Sequence, residues 1–319
     1  MKTISRHTFN PFSFCLILLA LALLAPACRP SADFNSTQET QATQTPASSD
    51  AELEITELAI AILPAQTGED AKASFSSLEA YLTEQLGIPV TLTLAESYDA
   101  TIEMMADERV YVAHLGPFSY IKAKTQNDAL ESIVTSIQAD TGRPWYTSVI
   151  IASNASGIQE LADIKGKRFS FVSESSTSGF LVPTGAFKDL EIDPDVDFAT
   201  IGFAGSHDQN AAALAQGQTD AAAMTAQTYQ EAKQSGQLPE DTFTLIWESD
   251  PIPGGPIVIN TKLSEDLQSK LKEALVNAPP EVVNVIERSN DEGAGYTLVT
   301  DEDYDLIRRL HDSLGIEGY

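Results

Sequence analysis

The 319-residue chain is short of cysteine, of basic side chains and of histidine, and each shortage removes a class of function. Its two cysteines are Cys15 and Cys28, and nothing after residue 28 carries a thiol. Disulfides and cysteine-held structural zinc are thereby excluded from the body of the protein. Lys and Arg number 19 against 46 Asp and Glu, a formal net charge of −27. Nucleic acid is bound by basic patches that displace counterions, so no nucleic-acid partner is expected, and neither is adsorption to an anionic membrane surface. With four histidines, one of them His7, the means for a metal site are poor and none is expected. Gly-x-Ser-x-Gly elbows, phosphate loops and dinucleotide fingerprints are missing as well, so no cofactor and no enzymatic activity are expected.

What is present first is an export signal. "MKTISRHTFN" carries Lys2 and Arg6 without an acid, and "FSFCLILLALALLA" follows as an apolar run. The run is short for a bilayer span, and small residues precede Cys28, which is the tripartite order of a secretory leader. "LAPAC" resembles a bacterial lipobox, in which the cysteine after the cleavage point is acylated; Pro26 departs from that pattern. Residues 1–28 are thus expected to be a lipoprotein signal peptide with Cys28 as the lipidation site. Residues 29–53, rich in Ser, Thr, Gln, Ala and Pro, are too polar to bury a core and read as a flexible tether. A chain of this kind is held to a bacterial membrane by a lipid and works in the periplasm or at the cell exterior.

From Glu54 onward strands and helices alternate. "TELAIAILP", "VTLTLAES" and "VYVAHLG" read as strands, with "EDAKASFSSLEAYLTEQLG", "DATIEMMADE" and "PFSYIKAKTQ" as helices. "WYTSVIIAS" reads as one long strand and opens a second series. There "RFSFV", "DFATIGF", "TDAAAMT", "TFTLIWES" and "GGPIVIN" are strands, and "TSGFLVPTGAFKDL", "HDQNAAALAQG", "AQTYQEAKQSG", "SEDLQSKLKEALVNA" and "DEDYDLIRRLHDSLG" are helices. Alternation of this kind predicts an α/β protein with mainly parallel sheets covered by helices. Two lobes fit the length: residues 54–145 with 249–319 as lobe 1, and 146–248 as lobe 2, joined by two crossing strands.

The chemistry concentrates in two segments of lobe 2. "FVSESSTSGFLVP", residues 171–183, packs four serines and a threonine between a strand and a helix start. Ser176, Thr177 and Ser178 at a helix N-terminus would present hydroxyls and unpaired N–H groups in one direction. Such an end holds an oxyanion without any cation. An ordinary serine cap with surface hydroxyls is the competing reading. In "GFAGSHDQNAAAL", Ser206 and Gln209 have capping-box spacing, which puts His207 and Asp208 in the first turn. An imidazole there donates to a bound oxyanion, and binding would favour its charged form. Tyr98, at a strand-to-helix turn, and Tyr146, at the crossing between lobes, are further neutral donors or simply packing residues. His114 reads as a strand residue and not as a ligand group. A Ser176–His207–Asp208 triad is disfavoured, because adjacent His and Asp do not readily orient one another.

Together "LGPFSY", "DIKGKRFSFV", "SSTSGFLVP", "GSHDQNAAAL", "GQTDAAA" and "IWESDPIPGGPIV" resemble, in order and spacing, the phosphate/phosphite/phosphonate-binding periplasmic solute-binding proteins of ABC transporters. The resemblance covers roughly residues 55–290. It implies the two-lobed type II periplasmic binding protein fold, with the ligand in the inter-lobe cleft, and an ABC permease with its ATPase as partners. Residue by residue it implies that Ser176, Thr177, Ser178 and His207 hold a small phosphorus oxyanion, with Tyr98 and Tyr146 adding hydroxyls. In members that take aminoalkylphosphonates two carboxylates meet the ammonium; the matching positions here are Gln227 and Gly255, both uncharged. A buried ammonium without a partner would cost several kcal/mol. The implied ligand is therefore phosphite, methylphosphonate or phosphate, and Gln227→Glu with Gly255→Asp is expected to admit 2-aminoethylphosphonate. The alternatives are a ligand-sensing protein for a membrane receptor, or a binder of another anion such as a sulfonate.

Overall fold

The computed structural model describes residues 53–65, 70–138, 141–280, 282–283 and 295–316. The leader, Cys28 and all of the expected tether but Leu53 lie outside the described residues. Among the described residues thirteen strands are found: β1 Leu58–Ile62, β2 Val90–Leu94, β3 Val112–His114, β4 Leu130–Ile137, β5 Trp145–Tyr146, β6 Ser148–Ser153, β7 Arg168–Phe171, β8 Thr200–Phe203, β9 Ala221–Thr225, β10 Phe243–Glu248, β11 Ile252–Pro253, β12 Pro256–Asn260 and β13 Gly295–Leu298. The helices are α1 Asp70–Leu86, α2 Tyr98–Ala106, α3 Pro117–Gln126, α4 Val182–Asp189, α5 Pro194–Asp197, α6 His207–Ala215, α7 Ala226–Gln234, α8 Glu265–Val276 and α9 Asp305–Leu314.

The strands form two large sheets, of order β13-β4-β12-β3-β1-β2 and β10-β6-β9-β7-β8, and a short β11-β5 ladder. The expectation of mainly parallel sheets is corrected. In the first sheet β1 runs parallel to β2 and β3, but β12 is antiparallel to β3 and β4, and β13 to β4. In the second, β6 is antiparallel to β9 and β10. The reversed strands are β12 and β13 in the first sheet and β6 in the second, and of these β12 and β6 are built from chain that has just crossed from one sheet to the other. A strand arriving from the far lobe enters its sheet from the opposite end.

"WYTSVIIAS" is likewise two strands. Trp145 and Tyr146 pair with Pro253 and Ile252, while Ser148–Ser153 joins the second sheet. Thr147 is the break: its carbonyl accepts from the Ala226 N–H at 3.0 Å and its hydroxyl donates to Glu248 at 2.7 Å. The β5–β11 ladder is thus a two-stranded connection between the lobes, closed by the Gly254 N–H on the Pro144 carbonyl at 2.9 Å. The strands β4, β11 and β13 are additions to those read from sequence. β4 hides because Ser132, Thr135 and Ser136 are buried in it, so no apolar alternation marks either face.

Helix ends follow local chemistry. Ser97 caps α2 by accepting from the Ala100 N–H, Pro117 opens α3 where no N–H is needed, and Gly87 with φ +72° ends α1. Each sheet buries apolar side chains on both faces. α1 and α8 cover one face of the first sheet with Leu78, Leu82, Leu271 and Leu275. α2, α3 and α9 cover the other with Ile102, Phe118, Tyr120, Tyr304 and Ile307. In the second sheet a cluster of edge-to-face rings, Phe169, Phe171 and Phe187, packs on one side. The other side has room for little: β9 contributes Ala222 and Met224, both fully buried, beneath α6 and α7.

The turn after β7 is the tightest place in the second sheet. Residues Thr177–Leu181 form a π-helical turn before α4, with the Leu181 N–H donating to the Ser176 carbonyl at 3.1 Å. The turn folds back so closely that a Cβ on Gly179 would stand 2.4 Å from Val172 Cβ and 2.8 Å from Ser176 Oγ. Gly179→Ala is therefore expected to cost about 1–3 kcal/mol of stability as an overpacking change, measurable by urea denaturation. An alanine variant as stable as the parent would contradict this packing.

Candidate ligand-binding site

On the second sheet the site is assembled from three strand-to-helix turns. Ser176 is the N-cap of the π-helical turn, its Oγ accepting from the Gly179 N–H at 3.0 Å. The first N–H groups of such a turn have no intrahelical acceptor, and the partial positive charge of the helix end gathers there. π-Helical turns recur at functional sites because they widen the backbone locally. Ser206 caps α6 in the same way, accepting from the Gln209 N–H at 3.3 Å, and this places His207 as its first residue. Thr225, at the end of β9, caps α7 and brings Gln227 alongside. The register of β9 is held at its other end, where Arg168 forms an ion pair with Asp220 at 2.7 Å. Asp220 is thus a structural partner and is not in the cavity lining.

These turns face a cavity of about 120 Å³ between the two sheets, several times the volume a single water needs. From the second sheet Ser176, Thr177, Ser178 and His207 line it, with Thr225 and Gln227. From the first sheet and the crossing come Tyr98, Tyr146, His114, Gln138 and the Gly254–Gly255 pair. Every ligand-contact and tuning residue read from sequence thus meets in one place: Tyr98, Tyr146, Ser176, Thr177, Ser178, His207, Gln227 and Gly255. Among the further lining residues are His114 and Gln138. His114 reads as a strand residue in "VYVAHLG", and only its position at the end of β3 turns it toward the cavity. Gln138 follows a strand that has no clear pattern. Among the described residues the lining contains no Asp, Glu, Lys or Arg.

The hydroxyls are held by the scaffold. Thr177 Oγ1 accepts from the Phe118 N–H at 2.9 Å, a bond from the first sheet's α3 to the second sheet's turn. That bond occupies a lone pair of the oxygen and leaves the hydroxyl proton to be donated. The Ser178 carbonyl accepts from Ser148 Oγ at 2.6 Å, which ties the turn to β6. Tyr98 is 3 % exposed and hydrogen-bonds with the Ser176 side chain; burial pushes its phenol up, so the hydroxyl keeps its proton at any physiological pH. The His207 N–H donates to the Ala65 carbonyl at 2.9 Å, again across the lobes. Outside the cavity Ser175 completes the closure: its hydroxyl donates to Asp99 at 2.5 Å, and Lys122 Nζ donates to it at 2.8 Å. Its carbonyl accepts from Ser119 Oγ at 2.8 Å. The two lobes are joined face to face in this structure.

His207 is 4 % exposed, and its Nδ1 makes no hydrogen bond among the described residues. Burial lowers its pKa to about 4, with Asp208 pulling weakly the other way. The ring is neutral at pH 7 in this structure, so a charged imidazole requires the anion itself to arrive. Gly255 bears on a second expectation. A Cβ there would lie 2.6 Å from the Leu115 carbonyl oxygen and 3.2 Å from His114 Nε2. At Gly254 it would meet Thr135 Oγ1 at 2.4 Å. Gly255→Asp therefore cannot be installed without moving backbone, and the paired substitution expected to admit an aminophosphonate reduces to Gln227→Glu.

Two α/β lobes joined by paired crossing strands, with a cavity between them, constitute the two-lobed type II periplasmic binding protein fold. The chain belongs to the family of periplasmic phosphonate substrate-binding proteins of ABC transporters, whose model matches residues 60–304. It is 32% identical to the Phosphate-import protein PhnD of Mycolicibacterium smegmatis across 99% of each chain. It is 31% identical to the Phosphonates-binding periplasmic protein of Escherichia coli, over 71% of this chain and 68% of that one. A binding-protein component of an ABC phosphonate transporter from Pseudomonas aeruginosa superposes with a TM-score of 0.73 at 25% identity, covering 82% of this chain and 87% of that one. PhnD1 of Prochlorococcus marinus, in complex with methylphosphonate, shares the fold with a TM-score of 0.71 at 20% identity, covering 82% of this chain and 98% of that one.

The depressed His207 pKa makes folding pH-dependent. The unfolded chain takes up this proton near pH 6.5, the folded chain only near pH 4. The penalty is absent above pH 6.5 and grows as pH falls through that window. By pH 4.5 it amounts to about 2–3 kcal/mol. Denaturation of the ligand-free protein at pH 7 and pH 4.5 is expected to show His207→Gln losing less stability than the parent by roughly that margin. Identical losses would mean that the folded ring is not kept neutral.

Proposed function

We propose that the chain is the extracytoplasmic substrate-binding component of an ABC importer for a small phosphorus oxyanion without an amine: phosphite, methylphosphonate or phosphate. The observation that carries this is the pairing of two capped helix starts, at Ser176 and Ser206, with a described lining free of charged side chains. Neutral donors of this kind stabilise an oxyanion in a low-dielectric cavity where a lysine would itself need desolvation. Ser176, Thr177, Ser178 and His207 hold the anion on lobe 2; Tyr98 and Tyr146 close over it. With Gln227 uncharged and no space for a side chain at 255, nothing in the described lining answers an ammonium.

Transport proceeds by hinge closure about the β5–β11 ladder, with lobe 1 formed by residues 54–145 and 249–319 and lobe 2 by 146–248. The bonds from Phe118 to Thr177, from Lys122 to Ser175 and from Ser175 to Asp99 belong to the closed form, which the permease and its ATPase receive. The site binds and does not catalyse. Ser206 Oγ donates to the Asp208 carboxylate, so this acid is not aimed at His207 as the orienting member of a triad. Export and the "LAPAC" segment support acylation of Cys28 and a lipid anchor, which mass spectrometry of the membrane-extracted protein would reveal and Cys28→Ser would abolish.

Calorimetric titration tests the ligand. Phosphate, phosphite or methylphosphonate is expected to bind the refolded, ligand-free protein, and 2-aminoethylphosphonate is not. Thr177→Val is expected to weaken binding about 10- to 100-fold, the worth of one hydrogen bond to a charged acceptor. Gln227→Glu is expected to bring 2-aminoethylphosphonate into measurable range. Heat from an alkanesulfonate alone, or an unaltered affinity in Thr177→Val, would overturn the assignment.

A further inference from the structure

We propose that Ser175 is a positioning residue that latches the closed form. Held by Asp99 and Lys122 of the opposite lobe, its hydroxyl sets how tightly every ligand is bound, and not which ligand is preferred. The inference rests on the hinge-closure reading above and deepens it. A ligand is held tightly only by the form in which both lobes reach it, so its apparent affinity is the intrinsic one scaled by how readily that form is reached. A bond made across the cleft but away from the ligand therefore moves all ligands together. A bond to the ligand moves each by its own amount.

Ser175 directly precedes the Ser176 cap, but among the described residues it does not line the cavity. It is fully buried, and lobe 1 holds it at three points. Its hydroxyl donates to Asp99 Oδ1 at 2.5 Å and accepts from Lys122 Nζ at 2.8 Å, while its carbonyl accepts from Ser119 Oγ at 2.8 Å. Within lobe 2 the Ser175 N–H donates to Ser173 Oγ at 3.2 Å and the Ser176 N–H to the Ser173 carbonyl at 2.9 Å. The turn thus offers the hydroxyl from a fixed position. The latch runs in register with the closure over the ligand: Tyr98 and Asp99, successive on α2, meet Ser176 and Ser175, successive on the turn. Asp99 and Lys122 both belong to lobe 1 and both bond to one oxygen. They are near enough to serve each other when the cleft opens, so what closure alone supplies is the hydroxyl between them. A hydrogen bond to a charged group is worth more than one between neutral partners. Burial pushes the Lys122 ammonium down from its ordinary value, with Asp99 and Glu174 pulling the other way, so the cation meets Ser175 partly stripped of water.

The test compares the parent with Ser175→Ala on the full chain, after removal of ligand by unfolding and refolding. Each of phosphate, phosphite and methylphosphonate that the parent binds is expected to lose about 10- to 100-fold in calorimetric affinity in the variant. The ratios among them are expected to stay within about threefold of the parent's, because the latch does not touch the ligand. The denaturation midpoint of the ligand-free variant is expected to match the parent's, since the open form lacks these bonds; a merely structural serine would lower it. Asp99→Asn, which keeps an acceptor and loses the charge, is expected to fall between the alanine variant and the parent. Small-angle X-ray scattering of both proteins under one set of conditions is expected to show the alanine variant more extended. Unchanged affinities, a loss confined to one of several bound anions, or a lowered ligand-free midpoint would overturn the latch. A parent that binds none of the three anions would instead remove the oxyanion reading. The latch would then be judged by scattering alone, where a variant no more open than the parent would overturn it.

Discussion

An anion can be held without a cation only where backbone N–H groups have no acceptor of their own and are aimed at it. The turn from β7 into α4 supplies that condition here. Its π-helical widening, its cap at Ser176 and the compression of Gly179 against Val172 are one construction. The sheets, the crossing strands and the second helix start at Ser206 serve to place other groups around that turn. Even the cross-lobe bonds converge on it, from Phe118 to Thr177 and from Ser119 to the Ser175 carbonyl.

This explains how a chain of formal net charge −27 accommodates an anion site. Surface carboxylates are screened within about 8–10 Å in physiological salt, while N–H dipoles and hydroxyls act at contact distance in a cavity of low dielectric. The described lining has neither an acid to repel the ligand nor a lysine to attract it, and burial keeps His207 itself neutral at pH 7. The acidity belongs to the surface and governs solubility; the site is indifferent to it.

Most of the site could be read from the residues, and what could not has physical reasons. Serine and threonine ahead of "GFLVP", and Ser206 three residues ahead of Gln209, are local signals, because capping is a local interaction. Alternating apolar runs gave β1, β2, β7 and β9 nearly to the residue. Three features were beyond local pattern. The antiparallel strands β6 and β12 follow from the chain passing twice between lobes, which no window of residues records. β4 buries Ser132, Thr135 and Ser136, so its faces carry no alternation. His114 and the crowding at Gly255 depend on β3 and β12 lying side by side, a contact between residues far apart in sequence.

The account's central claim, that neutral donors of lobe 2 hold a phosphorus oxyanion, is tested most directly by a crystal structure of the protein grown with phosphate or methylphosphonate. The account predicts the phosphorus centre in the cavity between the sheets, its oxygens within hydrogen-bonding distance of Ser176, Thr177, Ser178 and His207, and no cation beside it. A ligand bound elsewhere, or one neutralised by a lysine, arginine or metal ion drawn into the cleft, would contradict it.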